Sequence, residues 1–145
     1  MSGQYQLHIL QQAWTDGPES VTALLAAATL GPDAVTIEAN DVVEYDWKSQ
    51  SITLTTEASA RLLDRCPGEG PATCLHLYFI VTFGDRRLYS GVVWEEGSAM
   101  SAPFPTLYVS VSPDHVTLEL WRGPTTFVDL PEIHDYFKSL GKLSE

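Results

Sequence analysis

The sequence is short of bases: eight lysines and arginines stand against 19 aspartates and glutamates, a formal net charge of −11. A field of that sign repels phosphate backbones and anionic headgroups, so nucleic-acid and membrane partners are not expected. Arg86 and Arg87 make the one small basic patch. No apolar run approaches the ~20 residues of a spanning helix, and MSGQYQLHILQQAW lacks the basic start and apolar stretch of a secretory leader. As written, the chain reads as cytoplasmic. Phosphate-cradling glycine loops are missing, and G-x-S-x-G fails at every serine. His8, His76, His115 and His134 show no H-x-H, H-E-x-x-H or Cys–His spacing, and His76 and His115 are read as strand residues. Ser139 and Lys142 satisfy S-x-x-K but straddle a helix stop, where Lys142 suits the helix dipole. No cofactor, metal or catalytic residue is therefore expected.

Cysteine is almost as scarce. Cys66 and Cys74 bracket the turn-rich PGEGPAT, which could bring them together. A bridge would imply an oxidising compartment, periplasmic or extracellular, and the removal of a leader; free thiols would fit the cytoplasm. Both states are compatible with the sequence.

What is present is enough for a core. A chain of 145 residues, 44% hydrophobic, suits a single domain over 1–145. Tyr5 to Leu10 alternates as a first strand. Val21, Leu24, Leu25 and Ala28 share one face of a helix over Glu19 to Leu30, opened by Pro18 and closed by Gly31-Pro32. Val35 to Glu38 and Ser51 to Thr55 are short and extended, and Thr56 N-caps a helix to about Leu63. Leu75, Leu77, Phe79, Val81 and Phe83 then line one strand face, Gly84-Asp85 turns, and Leu88 to Trp94 returns. Leu107, Val109, Val111 and Val116, Leu118, Leu120 form two more inward rows. The last helix starts near Leu130, carries Ile133, Tyr136, Phe137 and Leu140 on one stripe, and stops at Gly141. The expected fold is α+β: a mostly antiparallel sheet with a C-terminal four-stranded meander and helices packed on one face.

Charge is uneven along this chain. Up to Ala60 there are eight acids and one base, Lys48, giving −7; eleven acids and seven bases give the remainder −4. Its densest point is VTIEANDVVEYDW, Val35 to Trp47, where Glu38, Asp41, Glu44 and Asp46 lie among Tyr45 and Trp47. Asp41 followed by Glu44 has capping-box spacing, which accounts for two carboxylates structurally and leaves Glu38 and Asp46 exposed. Val42, Val43, Tyr45 and Trp47 would then face partly inward. Calcium would need tighter oxygen spacing and a turn glycine, which ANDVVEYD lacks. A second candidate is the long connection WEEGSAMSAPFP, with Glu95 and Glu96 as charges and Met100 and Phe104 as soft apolar contacts.

The runs DWKSQSITLTTEAS and LYSGVVWEEGSAMSAPFP, about a quarter of the chain, resemble two blocks of small uncharacterised bacterial proteins. The resemblance implies a bacterial origin and no activity.

Together these features point to a non-catalytic acidic binding protein, of the inhibitor or immunity type, that neutralises a basic protein partner. Charges would steer the encounter, and Tyr45, Trp47 and Phe104 would anchor it. The alternative is a small enzyme or ligand-binding protein with a carboxylate-lined pocket between sheet and helices, using Glu95 or Asp46 with His76. The oligomeric state is open. A structural subunit of a larger assembly would instead expose a broad apolar patch.

Overall fold

The computed structural model describes residues 4–14, 17–27, 29, 33–66, 74–94, 105–121 and 131–145. Alternating apolar residues produce nine strands: β1 (Tyr5–Ala13), β2 (Asp33–Glu38), β3 (Val42–Asp46), β4 (Ser51–Leu54), β5 (Leu77–Phe83), β6 (Arg86–Val93), β7 (Thr106–Val111), β8 (Val116–Trp121) and β9 (Leu143–Ser144). Among the described residues three helices accompany them: α1 (Pro18–Ala23), α2 (Thr56–Arg65) and α3 (Pro131–Ser139). All nine strands join one sheet in the order β2-β1-β5-β6-β7-β8-β4-β3-β9.

The sheet is mixed. β6 and β7 run parallel, as do β3 and β9, so the expected meander is broken at its centre: β5–β6 and β7–β8 are antiparallel hairpins, but the two hairpins meet side by side in the same direction. Parallel neighbours require a long crossover, and the connection after Val93 is long enough to be one.

Six sheet positions separate β1 from β3, roughly 29 Å if the sheet lay flat at ~4.8 Å per strand. The Tyr5 and Tyr45 rings nevertheless lie 6.4 Å apart, and both pack on Phe137 of α3 at 5.0 Å. The sheet is therefore curled on itself. Its interior holds Leu7, Ile9, Ile37, Ile52, Leu54, Phe79, Leu107 and Leu118, with Ala58 and Leu62 of α2 and Ile133 and Phe137 of α3.

Helices lie on both sides, not one. Val21 of α1 packs with Leu10, Tyr78, Val92 and Trp94 in a second core on the outer face. Hence β5 is buried on both faces at Tyr78, Phe79, Ile80 and Val81. α1 ends at Ala23, short of the expected Leu30. The backbone N–H groups of Leu24, Leu25 and Ala26 bond three residues back, and Arg87 Nη1 of β6 takes the carbonyls of Leu24 and Ala27 at 2.7 and 2.6 Å.

Local signals elsewhere hold. Thr55 caps α2 by accepting from Ala58 N–H at 3.1 Å, one residue before the expected cap. Gly84 turns the β5–β6 hairpin with φ +63°. Gly141 (φ +73°) stops α3, with Lys142 N–H bonded to Phe137 O and Gly141 N–H to Lys138 O, the paired bonds of a Schellman end. His76 and His115 lie in turns just before β5 and β8, not within them. Cys66 and Cys74 are disulfide-bonded, tying the end of α2 to the entry of β5. Among the described residues no helix is long and apolar enough to cross a membrane.

Candidate functional site

Because β2 and β3 sit near opposite ends of the sheet order yet are consecutive in the chain, the turn between them spans the seam where the curled sheet closes. Ala39–Asp41 make that turn as one 3-10 turn. Its capping box is Glu38–Asp41, three residues before the expected Asp41–Glu44 box: Asp41 Oδ2 accepts from Glu38 N–H at 2.9 Å. Glu44 is instead an exposed residue of β3.

α2 closes the seam from the side. Arg61 Nη2 donates to Asp41 Oδ2 at 2.8 Å and to Thr36 O at 3.1 Å. Thr36 O and Glu38 N–H lie along the outer edge of β2, whose other side pairs with β1. Arg61 and Asp41 thus occupy backbone groups that an edge strand would otherwise offer to another strand. From the far side of the seam, Lys142 Nζ donates to Ala39 O at 2.7 Å.

Between β2, the turn and α2 lies a cleft of about 430 Å³, lined by Ala34, Val35, Thr36, Glu38, Asn40, Asp41, Arg61 and Arg65. A smaller hollow of about 120 Å³, reaching Gln4, Tyr5 and Tyr136, shares Glu38 and Asn40 with it. Glu38 and Asn40 are exposed, Asp41 is half-buried, and Arg65 is exposed on the last turn of α2. Among the described residues that line it, the cleft offers hydrogen bonds and charge of both signs, and no histidine, cysteine or serine.

The remaining expected site residues scatter. Tyr45 is buried at 1% exposure, and its hydroxyl donates to Gln50 Oε1 at 2.7 Å; it is a core residue, not a surface anchor. It faces inward because a bulge between Val42 and Glu44 resets the alternation of β3, which also turns Val43 outward, 55% exposed. Asp46 Oδ1 accepts from Lys48 N–H and Ser49 N–H at 3.1 and 3.4 Å, so that carboxylate builds the β3–β4 turn. Trp47 is half-buried between Tyr45 and His134. Glu95, Glu96, Met100 and Phe104 lie outside the described residues. His76 packs on Trp94 at 5.3 Å, and no hydrogen bond or ion pair joins it to Asp46, whose carboxylate is taken up by the β3–β4 turn.

Sequence reasoning missed Arg61 and Arg65. Their i, i+4 spacing on α2 placed both on one helical face, and in so acidic a chain that was the available signal.

The interior adds one more polar feature. Tyr5, Tyr45 and Tyr89 converge there, with Tyr89 interacting with the Tyr45 hydroxyl and Tyr45 bonded to Gln50. Burial pushes all three phenols well above their ordinary range, and their mutual proximity adds to this at Tyr5 and Tyr89. Two surface carboxyls are displaced the other way: a hydrogen bond from His115 lowers Asp114, and one from Arg86 lowers Glu132. Neither lines the cleft. Among the described residues no group of three or more His, Cys, Asp or Glu side chains could hold a metal ion.

Compared with protein families, characterised proteins and solved structures, the chain matches none.

Proposed function

We propose that this is a non-catalytic binding protein of the inhibitor or immunity type, and that it takes hold of a basic protein partner at the cleft between β2 and α2. The supporting observation is that Glu38 and Asp41, the first two carboxylates of the acidic cluster, line one cleft with Asn40, and that the Glu38 carboxylate is exposed there. An incoming cation would meet Glu38 and the carbonyl of Asn40, with the Arg61–Asp41 pair as a fixed floor. The net charge of −11 would accelerate the encounter at low salt. Tyr45 takes no part in this version, because it is enclosed; exposed Val43 and Glu44 flank the same turn instead.

The test separates a site from general acidity. An arginine-containing peptide is titrated into the wild type, Glu38→Gln and Glu119→Gln. Glu119 is exposed on β8, off the cleft, and its neutralisation changes the net charge equally. Glutamine keeps the acceptor that Glu38 needs in its capping box. Glu38→Gln is expected to weaken binding roughly five- to tenfold, about 1–1.4 kcal/mol, with Glu119→Gln nearly silent. Equal losses in both variants would reduce the acidity to a solubility device and reject the site.

A further inference from the structure

A purely basic ligand leaves part of the cleft unused. Arg61 is committed to Asp41 and to the Thr36 carbonyl, but the side chain of Arg65, one helical turn further along the same wall, makes no ion pair or hydrogen bond with a described residue. The lining therefore carries an exposed carboxylate, Glu38, on β2 and an uncommitted guanidinium, Arg65, on α2, with a neutralised Arg61–Asp41 pair as a third feature. A uniformly cationic ligand would set like charge against Arg65. A carboxylate placed there would gain the planar, two-bond match that a guanidinium offers.

We propose that the cleft is amphoteric, and that its ligand is a short peptide segment bearing a cation for Glu38 and a carboxylate for Arg65. This rests on the cation-binding reading of the cleft and specifies the ligand class. The volume of about 430 Å³ lies within the roughly 300–1,000 Å³ of small-ligand sites, which is room for a pair of side chains presented by a partner segment. Recognition falls on side chains because Thr36 O and Glu38 N–H are already occupied by Arg61 and Asp41, which obstructs a partner from pairing as an added strand there.

The experiment uses two short peptides that differ at one position, one with arginine and glutamate and the other with arginine and glutamine. Each is titrated by calorimetry into the full chain, Arg65→Gln and Glu38→Gln, with circular dichroism confirming that each variant folds. The wild type is expected to prefer the arginine–glutamate peptide roughly five- to tenfold. Arg65→Gln should abolish that preference by weakening this peptide alone, while Glu38→Gln weakens both. Equal wild-type affinities, or an Arg65→Gln loss shared by both peptides, overturn the inference; sensitivity of both peptides to Glu38→Gln in that case would leave the cation-binding reading standing. If neither peptide binds, the inference and the cation-binding reading fall together.

Discussion

Raising the pH tests the curled interior, because the three phenols of Tyr5, Tyr45 and Tyr89 keep their protons in the folded state well past the point where an unfolded chain loses them. Their folded pKa values are raised by burial, above the ordinary ~10 of an exposed tyrosine. Below that value both states are protonated and the contribution is fully present. Above it the unfolded chain sheds three protons that the native state retains, so the unfolded state binds fewer protons and stability falls as pH rises. Each group removes ~1.36 kcal/mol per pH unit, and three remove ~4. Against a typical total of ~5–15 kcal/mol, that slope exhausts the stability between about pH 11 and 14. The assay follows tyrosinate absorbance and circular dichroism in parallel. Three of the six tyrosines should ionise only in step with loss of the fold, and Tyr89→Phe should cut the slope by about a third. Smooth ionisation of all six with the dichroism unchanged would refute the enclosed cluster.

Other consequences are local. Gly91 of β6 admits no side chain, since a Cβ would collide with the Pro105 carbonyl and lie 2.6 Å from Phe79 Cε1. Gly91→Ala should cost about 3 kcal/mol and lower the melting temperature by roughly 6–12 °C, where a loss under 2 °C would contradict the packing. Cys66 and Cys74 are eight positions apart, so replacing both by alanine should cost about 2–3 kcal/mol in urea titration from loop-closure entropy; an unchanged midpoint would contradict the bond. In a double-mutant cycle, Arg61→Met and Asp41→Asn should couple by about 0.5–1.5 kcal/mol, since both side chains remain partly exposed at 35% and 18%, and strict additivity would remove the seam clasp.

Much of this fold was legible wherever a signal is local. The alternation of Leu77, Phe79 and Val81, the stripe Ile133 and Phe137, and the stops at Gly84 and Gly141 are each fixed by a few adjacent residues. β3 was not, because the bulge puts Val42 and Tyr45 inward with Val43 and Glu44 outward, a spacing that imitates neither strand nor helix. The parallel meeting of β6 and β7 and the outer placement of α1 depend on where long connections travel, which periodicity does not encode. The same holds for the cleft. Glu38 and Asp41 were readable as acids, but what they face is decided by Arg61, 20 positions on from Asp41, when α2 folds back across the seam. Tyr45 and Asp46 looked like site residues in the linear sequence because aromatic and acidic side chains stood side by side; curvature buried one and the turn consumed the oxygen of the other.

The location of binding is tested most directly by amide chemical-shift mapping of the labelled protein as the arginine–glutamate peptide is added. Shifts confined to the turn from Glu38 to Asp41 and to α2 around Arg61 and Arg65 are expected. Perturbations spread evenly over acidic surface such as Glu57 and Glu119, or none at saturating peptide, would contradict the cleft as the place where this protein meets its partner.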